Sequence, residues 1–229
     1  MGSSLRKKLP DAFSPSHKEM DVTSGKSVET AILDYKPDAV IHTAALVGIR
    51  ECEEDKEKAW KTNVEGTQHI VSAIKKLASP CYLIYISTAC VFGGEDRKFY
   101  TEEDTPSPKN FYSLTKLCGE MIVRQHAPTC IIRTNFAPKE QWKYPKAFTD
   151  RHGTYLFADG VAQGIIDVMA KRPEGIIHIV GDKRVSMYDL ALLAGSAQVG
   201  KMTLDEYEGP PLTVDMSLST TRWKKYKLE

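Results

Sequence analysis

The sequence predicts an α/β protein built on an open parallel sheet with helices over both faces. Two kinds of apolar segment alternate along the chain: short β-branched runs, and longer stretches at helical spacing. The short runs are continuously apolar, as expected of strands buried on both faces, where a half-exposed strand would alternate. With 229 residues and 41% hydrophobic content, the chain is also long and apolar enough to bury such a core.

Taken in order, Val28, Ala31, Ile32 and Tyr35 recur at helical spacing in "KSVETAILDYK", and Pro37 stops that helix. "DAVIHTAAL" (38–46) reads as a short strand and its exit. A long helix fits Ala59 through Leu77, with Val64, Ile70, Val71, Ile74 and Leu77 on one side. "CYLIYIS" (81–87) is the next strand. A helix over 113–127 ends at Pro128, and "TCIIRT" (129–134) follows as a strand. A helix over 160–171, the strand "GIIHIV" and a helix over 187–194 continue the alternation. Two long polar stretches, 93–111 and 137–154, follow strand ends. Loops of that length are commonly functional, and ligands of open parallel sheets bind beyond the strands' carboxyl ends. Both stretches are therefore expected to border one crevice.

Formal net charge is +1, from 31 basic and 30 acidic residues, so no global field invites nucleic acid or an anionic membrane. The basic tail "RWKKYKLE" (222–229) reads as a solvated helix end. No apolar run approaches the ~20 residues needed to span a bilayer, and the first 30 residues lack the apolar core of a secretory signal. The cysteines (52, 81, 90, 118, 130) show no C-x-x-C pairing and point to a reducing, cytoplasmic setting. The histidines are scattered without ligand spacing, so no metal is expected.

"YSLTK" places Tyr112 and Lys116 on one helical face, one turn apart. With 10 tyrosines and 22 lysines in the chain, about one such spacing arises by chance. The pair alone leaves two readings open: a packed tyrosine with a solvated lysine, or a proton-transfer pair. In the second, the Lys116 ammonium favours the phenolate and lowers the tyrosine pKa. Thr88, just past the strand 81–87, would hydrogen-bond a substrate carbonyl, and Tyr112 would protonate the alkoxide as hydride arrives.

Nine segments match a known pattern in order: "MDVTSGKSV", "KPDAVIHTAALV", "AWKTNVEGT", "YISTACVFGG", "YSLTKLCGE", "IIRTNF", "LFADGVAQGI", "GIIHIVGDKRVSMYDLA" and "MSLSTTRWKKYKL". Together they resemble the extended short-chain dehydrogenase/reductase superfamily, within it the dTDP-4-dehydrorhamnose reductase and NAD-dependent sugar epimerase group. The resemblance implies a Rossmann-like doubly wound parallel sheet with a small C-terminal substrate-binding lobe. Residues 1–135 would form the NAD(P)-binding domain, and 136–229 the lobe, interleaved with the last strands of the sheet. The implied activity is NAD(P)-dependent reduction of a nucleotide-linked keto-sugar by a cytoplasmic protein, with a homodimer as one assembly the group allows.

By the same resemblance, Thr88, Tyr112 and Lys116 are catalytic, and Lys116 also binds the nicotinamide ribose. Gly2, Asp21, Val22, Ala44, Ala45, Val47, Asn63 and Asn135 belong to the cofactor site, while Cys90 and Phe136 face the substrate. His17 and Lys18 would meet a 2′-phosphate and favour NADP over NAD. Ala89-Cys90 stands where 4,6-dehydratases carry Asp-Glu, which disfavours dehydration. Two alternatives remain: an epimerase or epimerase-reductase using Cys90, or a non-catalytic regulatory protein that kept the fold, as the β subunit of methionine adenosyltransferase did.

Two departures accompany the resemblance. Gly2 and Ser3 of "MGSSLRKKLP" take the place of the last glycine and following small residue of the family's phosphate-binding turn, so the first strand and first two glycines are expected to be missing, with a loss of cofactor affinity. "APKEQWKYPKAF" stands where the group has a longer segment, so an altered sugar pocket is expected.

Overall fold

A computed structural model describes residues 1–95, 99–139 and 142–229; parts of both polar stretches, 96–98 and 140–141, lie outside the described residues. The chain opens with α1 (Gly2–Lys8) and then α2 (Gly25–Tyr35), whose first turn is capped by the Ser24 hydroxyl accepting the Ser27 N–H. β1 (Ala39–His42) leads through α3 (Ile49–Glu54) into α4 (Lys56–Trp60), a π-helical turn (Lys61–Glu65) and α5 (Gly66–Ile74). The long helix expected over 59–77 is thus interrupted by one widened turn. β2 (Tyr82–Ile86) ends in a short 3-10 turn (Ala89–Val91), and α6 (Phe111–Val123), capped by Asn110, precedes β3 (Thr129–Thr134).

The second half carries β4 (Phe136–Ala137), β5 (Lys146–Phe148), β6 (His152–Gly153), β7 (Leu156–Phe157), α7 (Ala158–Lys171) and β8 (Gly175–Ile179). β9 (Val185–Ser186), α8 (Met187–Leu193), β10 (Gly200–Met202) and β11 (Asp215–Met216) complete it. The main sheet has the order β1-β2-β3-β8, all parallel. Side chains alternate across it. Leu83, Tyr85 and Ile131 pack under α2 and α5 against Val28, Ile32, Ile70 and Ile74. Tyr82, Ile84 and Ile132 pack under α1 and α7 against Leu5, Val161 and Ile165. Every residue of β2 and β3 is buried, which explains why they read as continuous apolar runs.

The remaining strands form small sheets, β11-β6-β9, β4-β7 and β10-β5, beside a third core containing Phe92, Tyr155, Leu190 and Met216. The stretch 137–154 is therefore not a plain loop, because β5 and β6 find partners far along the chain. Nor is the tail 222–229 a helix end. Tyr226 bridges to Gly181 and donates its hydroxyl to Asp167, Trp223 donates to Tyr226, and Leu228 is buried. Its apolar residues anchor it while its lysines face solvent. Tyr35, expected on the buried stripe of α2, is 55% exposed and stacks on Phe13 instead, 3.7 Å between centroids.

The two edges of the main sheet differ. At β1, the Tyr82 N–H donates to the Asp38 carbonyl, so Asp38, Val40 and His42 turn their backbone groups toward β2. Ala39 and Ile41 turn theirs outward, where they meet no partner among the described residues. A cavity of about 440 Å³ runs along this edge, walled by Leu5, Leu9, Ile32 and Tyr35. At β8, side chains fill the corresponding positions: Glu102 accepts the His178 N–H at 3.0 Å, and Arg222 donates to the Ile176 and Glu174 carbonyls at 2.8 and 2.9 Å. Among the described residues no helix is long and apolar enough to cross a membrane, and no cluster suits a metal ion.

Candidate active site

Thr88 leaves the C-terminal end of β2 and caps the 3-10 turn, its Oγ1 accepting the Cys90 N–H at 3.1 Å. That bond uses a lone pair and leaves the hydroxyl hydrogen free to donate. Tyr112 enters from the first turn of α6. Its hydroxyl lies close to Thr88 and Cys90: burial and the neighbouring Cys90 push the phenol pKa up, and the Thr88 side chain pulls it down. Thr88, Cys90 and Tyr112 thus converge at one point beyond the sheet.

Lys116, one turn further along α6, is 3% exposed, and its Nζ lies 4.1 Å from the centre of the Tyr85 ring. Burial lowers its pKa to about 7, against the opposing pull of Glu120. The expectation that Lys116 holds the Tyr112 phenol down is not met: burial raises the phenol, Thr88 is what pulls it down, and the ammonium leans on Tyr85 instead. His42 lies on the same side, its Nε2 donating to Thr67 Oγ1 at 3.0 Å, since the Thr67 hydroxyl hydrogen goes to the Asn63 carbonyl at 2.6 Å. Burial, and then the Lys116 charge, drop its pKa to about 3. Gly119 lets this packing form: a Cβ there would collide with the Tyr85 hydroxyl.

Asn63, in the π-helical turn, holds the exit of β1. Its Oδ1 accepts the Leu46 N–H at 2.7 Å, and its Nδ2 donates to the Leu46 carbonyl at 3.0 Å and to Thr115 Oγ1 at 2.9 Å. One buried side chain therefore ties the turn containing Ala44, Ala45 and Val47 to the helix carrying Tyr112 and Lys116. π-turns recur at functional sites because the extra residue re-aims a side chain. Ala44 and Ala45 are half-buried, and Val47 is exposed.

The other sequence-derived positions are spread out. Gly2 is exposed at the start of α1, beside Thr43 at the end of β1. Asp21 accepts Thr23 N–H and Oγ1–H at 2.9 and 2.8 Å, bonds that hold its carboxyl below the usual range. Val22 packs on Gly66, and its carbonyl meets His69 at 2.9 Å. Asn135 spends its amide on the Met216 carbonyl at 2.7 Å, tying β3 to β11, and Phe136 is 38% exposed. Cys90 rests its Sγ 3.4 Å from Met216 Sδ.

Sequence reasoning missed the layer beneath the site. Arg133 donates from Nε and Nη2 to the two oxygens of Glu120 at 3.0 and 2.7 Å, and Ser87 donates to the same carboxylate at 2.5 Å. All three are buried. The signal was present, since Tyr112, Lys116 and Glu120 recur every fourth residue on one helical face. Arg133 gave none, being a charge inside an apolar strand.

A parallel sheet flanked by helices, with Thr88 beyond its second strand and Tyr112 and Lys116 on the helix that follows, defines the class: a Rossmann-like α/β protein. The sequence matches the RmlD substrate binding domain family over residues 1–201, and the chain belongs to that family. It is 25% identical over 189 residues to the spore coat polysaccharide biosynthesis protein SpsK of Bacillus subtilis, covering 76% of this chain and 66% of that one. It is 29% identical over 125 residues to a dTDP-4-dehydrorhamnose reductase of Streptomyces griseus, covering 55% of this chain and 39% of that one. The chain thus spans less than two thirds of the length of these relatives. A dTDP-4-dehydrorhamnose reductase from Bacillus anthracis, solved in complex with NADP, shares the fold with a TM-score of 0.85 at 19% identity, over 98% of this chain and 91% of that one.

Proposed function

We propose that the protein is an NADP-dependent reductase of nucleotide-linked keto-sugars. The observation that carries this is the convergence of Thr88 and Tyr112 at the end of β2, with Lys116 one turn behind. The donor set fits a dinucleotide at its nicotinamide end. Lys116 makes no hydrogen bond or ion pair among the described residues, so its Nζ is free to hold ribose hydroxyls. At the phosphate end the fit is poorer, because Gly2 is exposed and the cavity beside it runs along an open edge. Asp21 and Val22 would lie toward the adenine. Lys18 is exposed with no ion pair among the described residues, while His17 lies 3.6 Å from Asp21; both would favour a 2′-phosphate.

A bound nicotinamide supplies the hydride. Thr88 donates its free hydroxyl hydrogen to the substrate carbonyl oxygen, polarising it. Tyr112, held as the neutral phenol by burial, gives its proton to the alkoxide oxygen as charge develops. Asn63 keeps the β1 exit and α6 in register while this happens. The packing of Cys90 on Met216 favours a simple reductase over an epimerase that would use this thiol. The intact buried set beneath the site argues against a purely regulatory role. A reductase of this kind would work in the cytoplasm, where NADPH is supplied.

Tyr112→Phe should lower turnover of dTDP-4-dehydrorhamnose at saturating NADPH by about 10²- to 10⁴-fold, with the circular-dichroism spectrum and melting temperature unchanged. Undiminished turnover in that variant would remove the mechanism.

A further inference from the structure

With Lys116 leaning on Tyr85, the placing of the Tyr112 phenol falls to Thr88 and to the backbone beneath the ring. That backbone lies in the first turn of α6, where helical N–H groups lack partners within the helix. Asn110 Oδ1 accepts the Ser113 N–H at 2.9 Å, and Glu53 Oε1 accepts the Phe111 N–H at 2.7 Å. The carbonyl of Tyr112 itself is held by Thr115, whose hydroxyl donates to it at 2.7 Å. Helical threonines commonly bond back to a carbonyl three residues earlier, and that contact alone would signify nothing.

Thr115 is set apart by what lies on its other side. Its Oγ1 accepts from Asn63 Nδ2 at 2.9 Å, the Asn63 carbonyl accepts the Thr67 hydroxyl at 2.6 Å, and Thr67 Oγ1 accepts from His42 Nε2 at 3.0 Å. Each hydroxyl has one hydrogen, and both are committed to carbonyls, so every direction in this chain is fixed. His42, Thr67, Asn63 and Thr115 are all buried, and a fully satisfied buried network is rigid. Asn63 also holds both backbone groups of Leu46, in the exit of β1. One hydroxyl is thus the joint at which the Tyr112 carbonyl meets the opposite wall of the crevice.

We propose that Thr115 is a positioning residue, which sets Tyr112 against the exit of β1 and so against a nicotinamide lying along Ala44 and Ala45. This rests on the reading of Tyr112 as the proton donor. Thr115 is 0% exposed and acts through Tyr112, without touching substrate or cofactor. A misplacement of about 1 Å at the reacting atoms can cost on the order of 10²-fold in rate, so a joint on the carbonyl of Tyr112 has leverage over the reaction.

Thr115→Val keeps the shape and removes the hydroxyl, while Thr115→Ser keeps the hydroxyl and removes a methyl group. In Thr115→Val the kcat for dTDP-4-dehydrorhamnose should fall about 10- to 100-fold, with the sugar KM and the NADPH Kd unchanged. Thr115→Ser should restore most of that loss. A merely structural threonine would lower the melting temperature of both variants and leave their kcat values alike. Wild-type kcat in Thr115→Val, or equal losses in the two variants, overturns the assignment. The joint can also be read without turnover, which separates it from the reductase reading. The Leu46 amide, held by Asn63 Oδ1, should exchange about 10-fold faster in Thr115→Val than in the wild type or Thr115→Ser. Equal exchange in all three proteins overturns the joint whatever the activity, whereas faster exchange in a protein that reduces no sugar removes the reductase reading alone.

Discussion

The two edges of one four-stranded sheet are finished in opposite ways. At β8 the outward backbone groups are met by side chains: Glu102 takes the His178 N–H, and Arg222 covers two carbonyls. At β1 the outward groups of Ala39 and Ile41 find nothing among the described residues, and a cavity follows them. Both strands were legible as apolar runs, yet only one edge is closed. The difference separates the site into halves. Residues proposed to act on substrate hang from β2, β3 and α6, which are braced by the buried Arg133–Glu120–Ser87 contact. Residues assigned to the cofactor's phosphate and adenine lie on the open side, around α1 and α2. The proposed proton-transfer site is thus braced from beneath, while the sheet edge beside the proposed dinucleotide site lies open.

The largest effect should come from cutting the brace. Glu120→Ala leaves Arg133 buried and unpaired, which costs about 3–5 kcal/mol. Denaturant unfolding should show it as a lower midpoint, and Lys116 should lose an opposing charge. A change under 1 kcal/mol would mean the two halves are not braced differently at all.

Opening the finished edge is the next test. Glu102→Ala strips acceptors from the His178 N–H and from Thr220 and Thr221, at a cost of about 1–3 kcal/mol. Hydrogen exchange should then show His178 losing protection toward the level of Ile41, whose amide should exchange fast in the wild type. Equal, slow exchange at both positions in the wild type would erase the comparison.

The pH dependence is the most diagnostic effect. Folding lowers the Lys116 pKa from 10.5 to about 7. Below pH 7 both states are protonated and the burial cost is fully present. Between 7 and 10.5 only the unfolded chain holds the proton, so stability should rise with pH. Above about 10 the trend reverses, since Tyr85 and Tyr112 are raised by burial and stay neutral only when folded. On the acid side, His42 and His178 are lowered by burial, so stability should fall as pH drops below 6.5. Lys116→Met should flatten the alkaline rise and keep the acid limb, weakened only by the part of the His42 shift that the Lys116 charge supplies.

Much of this was readable in the residues because burial writes itself as periodicity. β2 and β3 announced themselves by continuous apolar runs, α2 and α6 by spacing, and the Tyr112–Lys116 pair by a four-residue step. The sequence was misleading where a partner lies far along the chain. Residues 146–148 and 152–153 looked like loop because their strand partners are at 200–202, 215–216 and 185–186. The tail looked like a solvated helix because its lysines outnumber the Trp223, Tyr226 and Leu228 that anchor it. The lysine's influence on Tyr112 was also misjudged, since spacing sets which face a side chain leaves from and not what it leans on.

By itself the sequence determined the order of strands and helices and the placing of Thr88, Tyr112 and Lys116 after a buried strand. These are local matters: a step of four is a helical turn, and an apolar run is a buried strand. Tertiary structure alone decided which carboxylate neutralises Arg133, how Asn63 ties the β1 exit to α6, and which edge of the sheet is closed. Those outcomes depend on distances between residues tens of positions apart. Desolvation, which moved Lys116 and Tyr112 away from their ordinary pKa values, belongs to the packed interior as a whole.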